Sequence, residues 1–366
     1  MKILYVTTIG ATMSFFRDFV RELINEGHSV DIATNDSVRK VPEVYKKLGC
    51  RVFTLSCSRS PLDKGNLAAI GQIRDLVVRE KYDLVHCHTP IAAACTRIAC
   101  RKLRKKQGLK VFYTAHGFHF YKGAPLKNWI LYYPMEKVCS YFTDVLITIN
   151  QEDYQLAQKR LHAPRVEYVP GVGVDVEKFR NTQVDRKQKR IELGIPADAI
   201  ILLSVGELNI NKNQQVIIRA LAQMKKNDVY YVVVGRGDQA DKLKKLALEL
   251  DVAQQVHFLG YRQDVAELCH VADIFCHPSF REGLPVSVIE AMACGLPCVA
   301  SRTRGNMDLV DLQGGILFEP FDTKSCTQAI RTVLQENLPL MGQYNQEKSK
   351  KYASKHILDK MKMLYR

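Results

Sequence analysis

Two carboxylates stand in a stretch that offers them little company. In FREGLPVSVIEAMACGLPCVAS, Phe280 to Ser301, Glu282 and Glu290 are set among glycine, proline and apolar side chains, surroundings in which acids need partners. After FREG, Leu284 and Pro285 predict a helix start, because proline suits a first turn whose N–H groups are unpaired in any case. Glu282 then lies in the loop facing that N-terminus, and Glu290 between one and two turns inside, so the two do not share one helical face. A carboxylate accepts two hydrogen bonds side by side, matching a vicinal diol such as a ribose or a hexose presents. The N–H groups between them suit an anion. Diol, phosphate, diol is the outline of a nucleotide sugar; the plainer alternative pairs the two acids with Arg281 and Arg302 for structure.

Other residues extend this chemistry. GELNINKN places Lys212 at a helix start, just after a strand that ends at Gly206, with Asn209, Asn211 and Asn213 around it; a lysine beside unpaired helix N–H groups suits phosphate. DLVHCHTP and YTAHGFHFYKG put His86, His88, His116 and His119 at strand ends. No Asp or Glu accompanies them at ligand spacing and H-E-x-x-H is absent, so no metal site is expected. His116 is the candidate to touch substrate. VVVGRGDQADKL sets Gly235 and Gly237 between a strand and a helix, but the next strand ends at Gly260 and Tyr261 without an acid for a ribose diol. A tight turn fits better than a dinucleotide site.

These residues need elements to hold them. The first half alternates β-branched runs (KILYVTT, HSVDIAT, RVFTLS, DLVHCH, KVFYTAH, DVLITIN, VEYVPG) with longer amphipathic segments, and the second half repeats the grammar with AIILLSVGE, VYYVVVG, VHFLGY, ADIFCHP and PCVAS. Such alternation predicts α/β architecture with parallel strands and crossover helices. At 366 residues the chain exceeds what one core accommodates. Two doubly wound, Rossmann-like domains are expected, 1–182 and 183–345, divided in the charged stretch Phe179 to Ala199. Facing each other, they would bind ligands in a cleft at the carboxyl ends of their strands. Residues 346–366 read as a basic amphipathic helix with Ile357, Met361 and Leu364 on one stripe.

A formal net charge of +15 points to an anionic partner: nucleic acid, an anionic membrane face or phosphorylated small molecules. The run Arg97, Arg101, Lys102, Arg104, Lys105, Lys106 and Lys110 suits an anionic lipid surface, since no nucleic-acid module accompanies it. Eleven cysteines without a C-x-x-C pair predict buried thiols in a reducing cytosol rather than a disulfide framework. MKILYVTTIG reads as a first strand, not a leader. No apolar stretch reaches the ~18–20 residues that span a bilayer, so membrane contact would be peripheral.

FREGLPVSVIE resembles the E-x7-E signature of the retaining glycosyltransferases of family 4. VHCHTP, TAHGFHFYKG, PGVGVDVEKF, GELNINKN, VGRGD and FLGYRQDV fall in the order of related segments in that family. The similarity runs over the whole chain and implies the GT-B fold; HGFHFYKG and GELNINKN look most like enzymes of bacterial capsular or exopolysaccharide assembly. The resemblance implies that Glu290 holds the ribose hydroxyls, Glu282 the hydroxyls of the donor sugar and Lys212 the diphosphate. It places His116 near the transferred sugar and Tyr261 and Arg262 near the base. Gly206, Arg281, Gly283, Leu284, Pro285 and Gly10 are further donor-binding positions. It implies a metal-independent transferase without a cofactor, moving a hexose or N-acetylhexosamine from a UDP-sugar to a lipid-linked saccharide, a polyprenyl diphosphate one, at the inner membrane face. Relatives carry arginine where this chain has Glu207, and Arg281 and Arg236 are the candidates to replace that charge. The first loop, TTIGATMSFF, has Gly10 with Ala11 in place of paired glycines. A UDP-sugar epimerase on the same fold and a non-catalytic polyanion binder are the rival readings.

Overall fold

Strands made of near-continuous apolar runs must be covered on both faces, which parallel sheets under crossover helices achieve. The computed structural model, which describes residues 1–37 and 39–365, contains two such sheets. The first has β1 (Lys2–Ile9), β2 (Ser29–Asn35), β3 (Val52–Thr54), β4 (Leu84–His88), β5 (Lys110–Ala115), β6 (Val145–Thr148) and β7 (Arg165–Tyr168) in the order β3-β2-β1-β4-β5-β6-β7. The second has β8 (Ile200–Val205), β9 (Val229–Val234), β10 (Val256–Gly260), β11 (Ile274–His277), β12 (Cys298–Ser301) and β13 (Gly315–Phe318) in the order β10-β9-β8-β11-β12-β13. The pairings are parallel.

In each sheet the strand order reverses beside the first strand, between β1 and β4 and between β8 and β11. Loops leaving the two strands there diverge to opposite faces and open a crevice at their carboxyl ends. His88 closes β4 and His277 closes β11, while Gly10 and Gly206 follow β1 and β8 directly. Gly10, Gly206, Lys212 and Glu282 therefore lie just beyond strands at the reversals, whereas His116 follows β5 and Tyr261 and Arg262 follow β10.

The chain divides into Met1–Val172 with Leu358–Arg366, and Gly173–Ile357. The division thus falls in PGVGV rather than in the charged stretch Phe179 to Ala199. Its cause is backbone pairing: Val174 N–H donates to Tyr352 O at 3.0 Å and Ser354 N–H to Val174 O at 2.8 Å. The helix Val176–Asn181 packs on Val286–Ala293, so it belongs to the second unit. The tail is not one helix either: Leu338–Ser349 and Ser354–Tyr365 are separated by a 3-10 turn, and Ile357 and Leu364 are buried.

Tyr365 belongs to the first unit. Its hydroxyl bonds Tyr5 Oη at 2.8 Å and His86 Nδ1, and His86 Nε2 meets Thr114 Oγ1 at 2.8 Å. Tyr365→Phe leaves Tyr5 and His86 each short of a partner in a buried site, and the variant should lose about 1–2 kcal/mol, read from its urea midpoint.

The basic run is smaller than its sequence. Arg97 is 1% exposed, bonds Glu136 at 2.8 Å and lies 4.1 Å from the Tyr113 ring centre. Arg104 is half-buried and bonds Asp144 at 2.9 Å. Arg101, Lys102, Lys105, Lys106 and Lys110 remain exposed. All eleven cysteines are free and buried.

Candidate active site

Beyond β8 the chain passes Gly206 and enters a loop that three asparagines fix. Asn209 caps the 3-10 turn Ile210–Lys212 by accepting from Lys212 N–H at 3.1 Å. Asn211 Nδ2 donates to Arg281 O at 2.9 Å, and Phe280 N–H donates to Asn211 O at 2.8 Å. Asn213 takes a left-handed conformation with φ 52°, which asparagine tolerates; its amide donates to Pro278 O at 3.2 Å and Pro320 O at 3.0 Å. The loop after β8 is thereby stitched to the loop after β11, and this brings Lys212 to Glu282.

Lys212 Nζ donates to Glu282 Oε1 at 2.7 Å. The same oxygen lies 3.1 Å from His277 Nε2, which Ser279 Oγ also approaches at 3.3 Å. Burial pushes the Glu282 carboxyl up, but His277 and the Lys212 ammonium outweigh it and hold the group well below the usual carboxylate range. Glu282 is therefore a fixed anion. An ammonium has three donors, so pairing with Glu282 still leaves Lys212 two hydrogens for a further anion. A β-carbon at Gly206 would stand 3.6 Å from Lys212 Cε, so the lysine stem runs along that glycine.

Pro285 is the N-cap of the helix Val286–Ala293, which thus begins one residue later than the sequence suggests, and no side chain caps that end. Its first N–H groups are thus available to an anion. Gly283, Leu284 and Pro285 lead into it. Gly283 O sits where a β-carbon on Gly305 would come within 2.2 Å, and Arg304 Nε bonds Glu282 O at 2.9 Å. Glu290 lies within the helix and is half-buried. Burial, and next the neighbouring Cys294, push its carboxyl up to about 7 against the opposing charge of Lys178. Two acids of one segment thus differ sharply: one is held ionised, the other is poised near neutrality.

The pairing of the two acids with Arg281 and Arg302 is not what the structure contains. Arg302 bonds Glu319 at 3.0 Å, and Arg281 is exposed. Tyr261 is 65% exposed. Arg262 is committed to Asp264, at 2.8 and 2.5 Å, and to Glu192 at 3.1 Å. Glu207 accepts from Asn209 Nδ2 at 3.0 Å. Gly235 is a close-approach residue, since a β-carbon there would meet Gly206 O at 1.8 Å.

In the first unit, Gly10 opens a 3-10 turn, Gly10–Phe16, against the backbone of Arg39 and Val41, each within 2.5 Å of a would-be β-carbon. His116 follows β5 and is half-buried, and its Nε2 lies 3.2 Å from His88 Nδ1. Among the described residues no group of three His, Cys, Asp or Glu side chains is arranged to hold a metal ion.

Comparison with known proteins gives this site a family. Residues 2–150 match the model for Glycosyl transferase 4-like domains, and residues 185–356 that for Glycosyl transferases group 1. The putative glycosyltransferase EpsD of Bacillus subtilis is 35% identical over 373 residues, covering 100% of this chain and 96% of EpsD. This chain belongs to the family 4-like, group 1 glycosyltransferases. An Escherichia coli relative of the glycosyltransferase, described as a UDP-Gal:alpha-D-GlcNAc-diphosphoundecaprenol alpha-1,3-galactosyltransferase, is 30% identical over 72% of this chain and 69% of its own. Anabaena HepE in complex with UDP superposes with a TM-score of 0.82 at 20% identity, over 100% of this chain and 99% of HepE. WaaG superposes at 0.76 and 19% identity, over 98% of each chain. The fold is GT-B. In this glycosyltransferase His277 and Arg304 reach Glu282 unannounced by the sequence reading. The signal for His277 was available: it ends a strand shortly before Glu282, as His88 ends one before His116.

Proposed function

We propose that this glycosyltransferase moves a hexose or N-acetylhexosamine from a UDP-sugar to a lipid-linked saccharide in polysaccharide assembly, with retention of anomeric configuration and without a metal. The observation that carries the reading is the Lys212–Glu282 pair at the strand-order reversal of the second unit, Glu282 standing in one segment with the uncapped helix start and Glu290. Glu290 holds the ribose diol, and Lys212 with the N–H groups of Val286–Ala293 holds the diphosphate. Glu282, oriented by His277, accepts from hydroxyls of the sugar, and His116 lies at the transferred sugar. Arg281 or Arg236 supplies the charge that Glu207 does not. Tyr261 and Arg262 lie near the base. Bond breaking places charge on the departing diphosphate, and preset donors that need no reorganisation stabilise it.

The activity named for the Escherichia coli relative supports a lipid-linked acceptor, and the similarity to EpsD supports exopolysaccharide assembly. A screen of UDP-, GDP- and ADP-sugars for protein-dependent transfer or hydrolysis, with the product anomer read by NMR, tests the reading. Turnover of UDP-sugars alone is expected; an inverted product, or preference for another nucleotide, would overturn it.

The acceptor's lipid suggests a peripheral place on the inner membrane face. On the first unit the helix Leu126–Ser140 exposes Leu126, Ile130, Leu131 and Val138 alongside Lys127 and Lys137, with Tyr141 exposed just after it, and Arg101, Lys102, Lys105, Lys106 and Lys110 are exposed on the same unit. Each basic residue near an anionic leaflet is worth about 1 kcal/mol. Flotation should recover more protein with anionic than with neutral liposomes; equal recovery would count against the membrane role. No helix among the described residues is long and apolar enough to cross a membrane.

A further inference from the structure

We infer that His88 is a positioning residue that locks His116 in the Nδ1–H tautomer, so that His116 offers the transferred sugar a hydrogen-bond donor. The inference rests on the reading of His116 as the residue at that sugar, and adds which of its nitrogens carries the proton and why.

The two rings meet because their strands do. β4 and β5 pair in parallel with His88 opposite Thr114, and His116 lies two residues further along. His88 is 1% exposed. Its Nδ1 lies 3.2 Å from His116 Nε2, while its Nε2 is buried without any hydrogen-bond partner. Rings surround it: Phe16 with centres 4.3 Å apart, His86 at 4.2 Å and Tyr5 stacked at 5.3 Å. His86 cannot serve that nitrogen, because its own two nitrogens are engaged by Tyr365 and Thr114.

Burial keeps both imidazoles neutral near pH 7, His116 being held down to about 4 and His88 lower than usual for the same reason. Two neutral rings that face each other nitrogen to nitrogen share one proton, and two arrangements exist. If His116 Nε2–H donates to His88, then His88 carries its proton on Nε2, an N–H sealed among rings with no acceptor. If His88 Nδ1–H donates, Nε2 is left as a lone pair. Buried N–H groups without an acceptor are the rarer and costlier defect, so the second arrangement prevails. His116 Nε2 then accepts, its proton resides on Nδ1, and the half-buried side of its ring presents an N–H. That N–H complements the oxygen of a sugar hydroxyl and carries no charge to be dehydrated.

The test uses the full chain labelled with ¹⁵N-histidine. Ring nitrogen shifts, assigned to His116 by their loss in His116→Ala, should identify Nδ1 as the protonated nitrogen. In His88→Phe both tautomers should appear, and turnover on the UDP-sugar found in the donor screen should fall roughly five- to tenfold, with KM and the affinity for UDP unchanged within about twofold. His88→Asn, whose amide N–H stands at the Nδ1 position, should restore the single tautomer and most of the turnover. Protonation on Nε2 in the wild type, or an unchanged tautomer in His88→Phe, overturns the lock whatever the activity. A correct tautomer together with undiminished turnover in His116→Ala overturns instead the contact with the sugar, and with it the purpose assigned to the lock.

Discussion

Lys212→Ala is expected to reduce turnover by about 100-fold or more, the loss that follows removal of one preorganised donor to a developing anion, about 2.7–4 kcal/mol. The ammonium is held at 2.7 Å by Glu282, on a turn whose backbone Asn209 caps and whose loop Asn211 and Asn213 anchor. In the proposed reaction it therefore needs no search to reach the leaving diphosphate. Because that charge is greatest in the transition state, kcat should fall more than the affinity for UDP. Lys212→Arg restores the charge but not the compact geometry, and should recover only part of the rate. Steady-state kinetics with the donor identified by the screen, alongside calorimetry with UDP, separate these effects. Turnover within a few-fold of wild type in the alanine variant would remove the lysine from the reaction.

Glu290→Gln is expected to stabilise the protein and weaken nucleotide binding together. The folded carboxyl titrates near 7, above the ordinary glutamate value of about 4.3. Below the ordinary value both states are protonated and nothing is lost; as pH rises toward 7 the unfolded chain ionises while the folded site resists, so wild-type stability falls through that window and levels off above it. Glutamine is spared this loss. At pH 8 the variant should exceed wild type by about 2–3 kcal/mol, a difference that shrinks towards pH 4.5, and calorimetric scans at the two pH values give the comparison.

On the proposed reading the same substitution removes an ionised diol acceptor, and it should weaken UDP-glucose binding roughly 10- to 100-fold at pH 8. Wild-type affinity should fall roughly tenfold from pH 8 to 6 as the carboxylate is protonated, with a flatter profile in the variant. Identical stability differences at both pH values, or wild-type binding by the glutamine variant, would sink this account.

The strands were legible because a parallel strand buried on both faces writes itself as an apolar run, as KILYVTTI and IILLSV do. β13 was not: GILF is short and begins with glycine, and that glycine is there because a β-carbon would meet Cys298 O at 2.0 Å, a neighbour that sequence does not name. The basic run illustrates the opposite error. Arg97 reads as surface charge beside Arg101 and Lys102, yet the helix Leu126–Ser140 covers it and supplies Glu136. Arg262 likewise reads as available until Asp264 and Glu192 are seen to claim it.

By itself the sequence determined the α/β class, the two repeated strand-helix series and the segment holding Glu282, Glu290 and the helix start, since these follow from local periodicity and from residues close along one stretch; the family came from the resemblance of motifs in order along the whole chain. Only the tertiary structure decided that Lys212 meets Glu282, that His277 completes the cluster, that Glu290 titrates near neutrality and that His88 faces His116. Each of those depends on which strands lie side by side and on how much water is excluded around them. Strand neighbours and helix packing set both, and no short window of residues encodes them.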